Sequence, residues 1–217
     1  MVLLVVFDCD GVLVDTEPIA NRVLTQALVE AGLSLLAQEV SQATTGYSMK
    51  QVVAWAERTM GGQLPRDFIS QTQARMFEAF RTELKPVSGA DVVLDAIAGK
   101  EIAYCVASSG DYEKMQFTLG LTGLLSRLEG RMFSTSDVPR GKPAPDVFLR
   151  AARKHDAAVS ESVVVEDSLP GVAGGLAAGM TVYGFAAGDM RRQNVLGAAG
   201  AIVFDDLRDL PELLRLG

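Results

Sequence analysis

An apolar run that stops on two like charges needs a reason, and the segment FDCDGVLVD stops on Asp8 and Asp10. Residues two apart in a strand project to the same side, so both carboxylates leave the strand together. Three more polar sets stand just after an apolar run or just ahead of a helical one: Ser108-Ser109-Gly110, Lys142 in RGKPAPD, and Glu166-Asp167 in VVVEDS. Singly, each reads as an ordinary turn or helix cap. In conjunction they bring three carboxylates or more, a hydroxyl and an ammonium to one edge. Crowded carboxylates repel and take up protons unless a cation lies among them, so the set implies a hard divalent ion. Oxygen ligands with open water positions favour Mg²⁺. Lys142, the Ser108 hydroxyl and the backbone N–H groups around Ser109 and Gly110 suit a phosphoryl group.

The elements that must present these groups are legible as apolar runs of strand length, Val2–Phe7, Ile102–Ala107, Ser162–Val165 and Thr181–Phe185. Runs this apolar suit strands buried on both faces, as in a parallel sheet covered by helices. Helical spacing falls at Asp91–Ala98, Asp111–Leu119, Pro145–His155 and Leu169–Ala178, the last closed by Gly179. The expected fold is therefore α/β, a doubly wound, mostly parallel sheet whose ligands gather at the carboxyl ends of the strands. From Thr16 to Lys85 only helical patterns occur. They begin at Thr16-Glu17-Pro18, with a capping hydroxyl and a proline in the first turn, and continue at Leu36–Thr44, Met49–Met60 and Phe68–Leu84. That stretch is too long for a crossover. The expected organisation is a sheet domain over residues 1–15 and 86–217, with a helical cap domain over 16–85 inserted after the first strand.

With 217 residues, 48% of them apolar, the chain can bury a substantial core. Its longest apolar run is too short to span a bilayer and lacks the basic lead-in of a signal peptide, so a cytoplasmic protein with no membrane partner is expected. Cys9 and Cys105 fall in strand patterns and no Cys/His set has zinc spacing, so both read as buried thiols. A net charge of −7 without a basic run argues against a nucleic-acid partner. It also requires that any anionic substrate be drawn by a local site. Nothing in the pattern demands more than a monomer.

The set DCDGVLVDT, SS, GKPAPD and VVEDSLPG, in this order, resembles the haloacid dehalogenase-like (HAD) hydrolase superfamily, in the branch with a helical cap after the first strand of a Rossmann-like core. The motifs run along the sheet domain from end to end. Within the superfamily the chain is most similar to sugar-phosphate phosphatases of the β-phosphoglucomutase-like group, and SSGDYEKMQ is similar to the matching stretch of bacterial 6-phosphogluconate phosphatases. The resemblance implies a Mg²⁺-dependent phosphatase acting on a small phosphorylated metabolite, a sugar phosphate such as 6-phosphogluconate. Asp8 would be the nucleophile that takes the phosphoryl group as an aspartyl phosphate, and Asp10 the general acid/base. Ser108 and Lys142 would hold phosphoryl oxygens. Mg²⁺ would be bound by the Asp8 carboxylate, the Asp10 backbone carbonyl and Asp167, with Glu166 a direct or more distant partner. Gly46-Tyr47-Ser48 and Lys50 fall in the expected substrate-facing loop between two cap helices.

A sugar-phosphate mutase is the nearest rival. The β-phosphoglucomutase pattern has a histidine in the first cap helix and an arginine just after the cap-loop glycine, where this chain has Ala20 and Met49. Its one histidine, His155, falls late in a core helix and reads as a surface residue. These departures favour a phosphatase. A phospho-accepting receiver domain would need an Asp at the end of a middle strand well after the acidic pair, and no Asp occurs between Asp15 and Asp67. A non-catalytic binding protein would have lost the nucleophile or the acid/base, and both are present.

Overall fold

The computed structural model describes residues 2–44 and 49–215. The chain divides into two compact units, Met1–Asp15 with Lys85–Gly217, and Thr16–Leu84. In chain order, β1 (Leu4–Phe7) is followed by α1 (Glu17–Glu30), α2 (Ala37–Thr44), α3 (Met49–Met60) and α4 (Phe68–Glu83). The sheet unit then resumes with α5 (Ala90–Gly99), β2 (Ala103–Ser108), α6 (Tyr112–Leu121), α7 (Leu125–Leu128), β3 (Met132–Ser134) and α8 (Asp146–Lys154). It ends with β4 (Ser162–Glu166), α9 (Leu169–Ala177), β5 (Thr181–Phe185), α10 (Met190–Ala198), β6 (Ile202–Phe204) and α11 (Leu210–Leu213). This is a Rossmann-like parallel α/β core with a helical insertion after β1.

The strands pair in the order β3-β2-β1-β4-β5-β6, all parallel. β1 is central, with Val6 opposite Cys105 on one side and Val164 on the other. All four β1 side chains are fully buried, as a strand covered on both faces requires. Each such aliphatic side chain contributes roughly 1.5–3 kcal/mol by leaving water. Leu4, Val6, Cys105, Phe148, Val164 and Val172 share one core cluster, so β1, β2 and β4 pack against α8 and α9. Cys9 and Cys105 are free and buried. The edge strands β3 and β6 have only three residues each, too short to register as apolar runs.

The helical unit has its own core, with Leu24, Leu28, Val40, Val52, Ala56 and Phe68 among its buried members. Ion pairs Arg22–Glu83 (2.6 Å) and Arg75–Glu30 (2.5 Å) join α1 to α4. Two local expectations are corrected. Thr16 sits at the N-cap of α1 in helical backbone, φ −80° and ψ −27°, and its side chain makes no capping bond. A capping hydroxyl needs the extended conformation that aims it at the next N–H groups. His155, expected on the surface, is half-buried where the end of α8 meets β3. Its ring meets Phe133 edge-on with centroids 6.0 Å apart, and its Nε2 is buried with no hydrogen-bond partner. No helix among the described residues is long and apolar enough to cross a membrane.

Candidate active site

The chain leaves β1 for β2 and β3 on one side and returns through β4 on the other, so the topological switch point lies between β1 and β4. The carboxyl ends of three adjacent strands meet there: Ser108 ends β2, Asp8 follows β1, and Glu166-Asp167 close β4. The Asp8 N–H donates to the Val165 carbonyl at 2.9 Å. Beyond Asp8 the backbone turns at Gly11, φ +83°, whose N–H donates to the Val14 carbonyl at 2.8 Å. Buried Val12, Leu13 and Val14 anchor this turn, from which Asp10 projects. A Cβ at Gly11 would lie 2.1 Å from Asp167 Oδ2, so only glycine leaves room for that carboxylate.

Lys142 enters from the loop ahead of α8. Its ammonium donates to Asp8 Oδ1 and Glu166 Oε1, each at 2.5 Å, and to the Ala107 carbonyl at 2.8 Å. Three acceptors use all three of its protons. The other Glu166 oxygen accepts from the Asp167 and Ser168 N–H groups, each at 3.2 Å, and from Ser168 Oγ at 2.9 Å. A Cβ at Gly171 would lie 1.8 Å from Glu166 Cδ, so α9 lies directly on this carboxylate. With both oxygens engaged by protein donors, Glu166 holds Lys142 and the Asp167 backbone in place.

One oxygen each from Asp8, Glu166 and Asp167 lie within 4.8 Å of one another. Burial is the largest influence on Asp8 and pushes its pKa up to about 7; Lys142 opposes the rise, and the charges of Glu166 and Asp10 add to it. For Lys142, burial alone would lower the pKa, but Asp8 and Glu166 reverse the sign and hold it above the usual lysine range. Buried, hard carboxylate oxygens crowded in this way fit a Mg²⁺ ion.

The remaining expected residues divide. Asp10 lies outside that cluster, and its Oδ2 accepts from Lys114 Nζ at 2.7 Å. Ser108 is buried, and its Oγ accepts from the Gly110 N–H at 3.0 Å. Ser109 is exposed, and its carbonyl accepts from Thr135 Oγ1 at 3.3 Å. Gly46, Tyr47 and Ser48 lie outside the described residues, and Lys50 is an exposed residue in the first turn of α3.

Two cations were missed in the sequence. Lys114 pairs with Asp10, and Arg192 Nη1 lies 3.4 Å from Asp167 Oδ2. Each is the third residue of its helix, α6 or α10, and follows an aspartate N-cap. Asp111 accepts from the Lys114 N–H at 2.8 Å, and Asp189 from the Arg192 N–H at 3.3 Å. A cation in the first turn faces the positive end of the helix dipole, which costs about 0.3–1 kcal/mol. That local misfit is the signal that could have singled them out. Burial would lower the Lys114 pKa, but the Asp10 charge and hydrogen bond raise it above the usual range. Four carboxylates thus meet three cationic side chains, and a divalent ion would tip the balance to positive, as a phosphoryl dianion requires.

The chain matches the family described as "Haloacid dehalogenase-like hydrolase" over residues 5–185. It is 31% identical over 212 residues to a 6-phosphogluconate phosphatase of Escherichia coli (strain K12), covering 97% of this chain and 94% of that one. A conserved haloacid dehalogenase-like protein of unknown function from Agrobacterium tumefaciens str. C58 has a similar solved structure, with a TM-score of 0.90 at 29% identity over 100% of this chain and 99% of that one. A HAD family hydrolase from Deinococcus radiodurans R1, solved with bound phosphate and sodium, has a TM-score of 0.85 at 29% identity over 99% of this chain and 96% of that one.

Proposed function

The chain belongs to the haloacid dehalogenase-like hydrolase family, and from that premise we propose that it is a Mg²⁺-dependent phosphomonoesterase working through an aspartyl phosphate. The observation that carries this reading is the buried Asp8–Lys142–Glu166–Asp167 cluster at the switch point of the sheet. Asp8 and Asp167, with the Asp10 backbone carbonyl, would hold Mg²⁺. When bound, the ion neutralises phosphoryl charge and favours attack at phosphorus.

The chain's own groups account for the rest. An Asp8 oxygen forms a bond to phosphorus as the bond to the substrate's leaving oxygen breaks. Lys142, paired with Asp8, favours the ionised nucleophile and lowers the negative charge that the phosphoryl group meets. The Asp10 carboxyl group gives its proton to the leaving alkoxide, then takes one from the water that attacks phospho-Asp8. Phosphate departs and Asp8 is regenerated. The Ser108 hydroxyl and the backbone N–H groups of Ser109 and Gly110 supply donors to phosphoryl oxygens.

For substrate we propose a small sugar phosphate, with 6-phosphogluconate the first to test, because a phosphatase named for that substrate aligns over nearly the whole chain. Buried free thiols fit a reducing, cytoplasmic setting. Asp8→Asn should reduce phosphate release from p-nitrophenyl phosphate to background, and wild-type turnover in that variant would sink the nucleophile assignment. Asp10→Asn should slow turnover by roughly a hundredfold or more, in the range of general acid–base loss. In a panel of phosphorylated metabolites, free phosphate rather than an isomerised sugar phosphate is the expected product.

A further inference from the structure

We infer that Lys114 is a positioning residue for Asp10: its ammonium keeps the Asp10 carboxylate apart from the Asp8, Glu166 and Asp167 oxygens and so available to exchange protons. The inference rests on the proposed roles of Asp8 and Asp10. Asp10 stands two residues beyond Asp8, in the turn after β1 and close enough for its charge to act on Asp8, so a partner that draws its carboxylate away keeps it off the ion that Asp8 and Asp167 would bind. A carboxylate committed to such an ion is a poor proton carrier. Lys114, 104 positions away in sequence, supplies that partner at 2.7 Å.

The local structure is arranged for this contact. Asp111 caps α6 and fixes its first turn through the Lys114 N–H. The Lys114 side chain then runs back past Gly110, where an added Cβ would lie 3.3 Å from Lys114 Cδ, 3.4 Å from Ser108 Oγ and 3.9 Å from Asp10 Oδ2. The bare α-carbon of Gly110 therefore gives Lys114 its path to the site. Lys142 is sealed, with side-chain exposure of 3%, whereas Lys114 and Asp10 keep 33% and 26%. Both groups of this pair are thus reached by solvent, as a proton carrier must be. Lys114 also opposes the dipole of its own helix, so its charge is not there to stabilise α6.

Lys114→Met, Lys114→Arg, Asp10→Asn and the double variant Asp10→Asn/Lys114→Met test this on the Mg²⁺-loaded enzyme. Lys114→Met should lower kcat by about tenfold or more, a part of the loss expected for the acid–base group itself, and leave KM nearly unchanged. Its melting temperature should stay within about 3 °C of wild type. Lys114→Arg should restore most of the rate. A residue acting through Asp10 has nothing left to act on once Asp10 is gone, so the double variant should be no slower than Asp10→Asn alone. The loss in kcat/KM should be larger for an alkyl phosphate than for p-nitrophenyl phosphate, whose leaving group needs less protonation. Additive losses in the double variant, or a Lys114→Met protein with wild-type kcat, would overturn the inference while leaving the Asp8 and Asp10 assignments intact. A fully active Asp10→Asn protein would overturn the assignment on which it rests.

Discussion

Ion pairs of similar length serve different ends in the two units of this protein. In the sheet unit, Lys142 joins Asp8 and Glu166 with side-chain exposures of 3%, 11% and 0%. In the helical unit, Arg22 joins Glu83 with exposures of 51% and 46%. A charge in water keeps its hydration whether or not it is paired, and the net gain from pairing is small. A buried charge has lost that hydration, so its partner is indispensable even though the pair as a whole need not stabilise the fold. The buried set is therefore better explained by the chemistry it performs than by stability.

The contrast is sharpest for Lys142→Met. Removing the one ammonium that faces two buried carboxylates should destabilise the protein by about 3–5 kcal/mol, measured by urea unfolding. A loss no larger than that of an exposed pair would erase the distinction between the two regions. Gly171→Ala comes next, because the new methyl must displace the Glu166 carboxylate that it would overlap. A cost of roughly 1–3 kcal/mol is expected for such overpacking, together with weaker Mg²⁺ binding by calorimetry. An alanine variant with native stability and affinity would show that Glu166 moves aside without consequence.

Proton and cation compete within the buried region. In the cation-free protein Asp8 titrates near 7 instead of near 3.8, chiefly because it is buried. Its stabilising contribution is thus whole below its ordinary pKa and is lost as pH rises through about 7. Lys142, with its raised pKa, stays charged in the folded and unfolded chain across that window. Binding a cation displaces the Asp8 proton, so Mg²⁺ affinity should fall by up to about tenfold per pH unit below 7. Thermal shifts induced by Mg²⁺ should accordingly be larger near pH 8 than near pH 5.5. Equal shifts would remove Asp8 from the cation's donor set. The smallest effect belongs to the helical unit, where Arg22→Gln should move the melting temperature by less than about 3 °C.

Much of this was legible because it is local. The β1 and VVVEDS strands declare themselves as unbroken apolar runs and the four insertion helices by periodicity, and the polar groups at strand ends stand out against the apolar residues before them. The edge strands β3 and β6 did not, since three residues carry no period and their pairing comes from a neighbour already in place. The Thr16 side chain was expected to cap α1, but the backbone there is already helical and does not aim the hydroxyl at the next N–H groups.

The sequence by itself determined which chemical groups would stand at strand ends, because strand termini and side-chain alternation are written in short stretches of chain. Only the tertiary structure decided how those groups divide their work. Strand order puts β1 between β2 and β4, which brings Asp8 beside Glu166 and Asp167, and packing of α9 against β4 turns the Glu166 carboxylate toward Lys142. Asp10 has the same residue type as Asp8 and stands two positions further on, yet meets Lys114 from a helix far along the chain. Pairings at such sequence separations depend on how helices and sheet pack, and no local pattern encodes that distance.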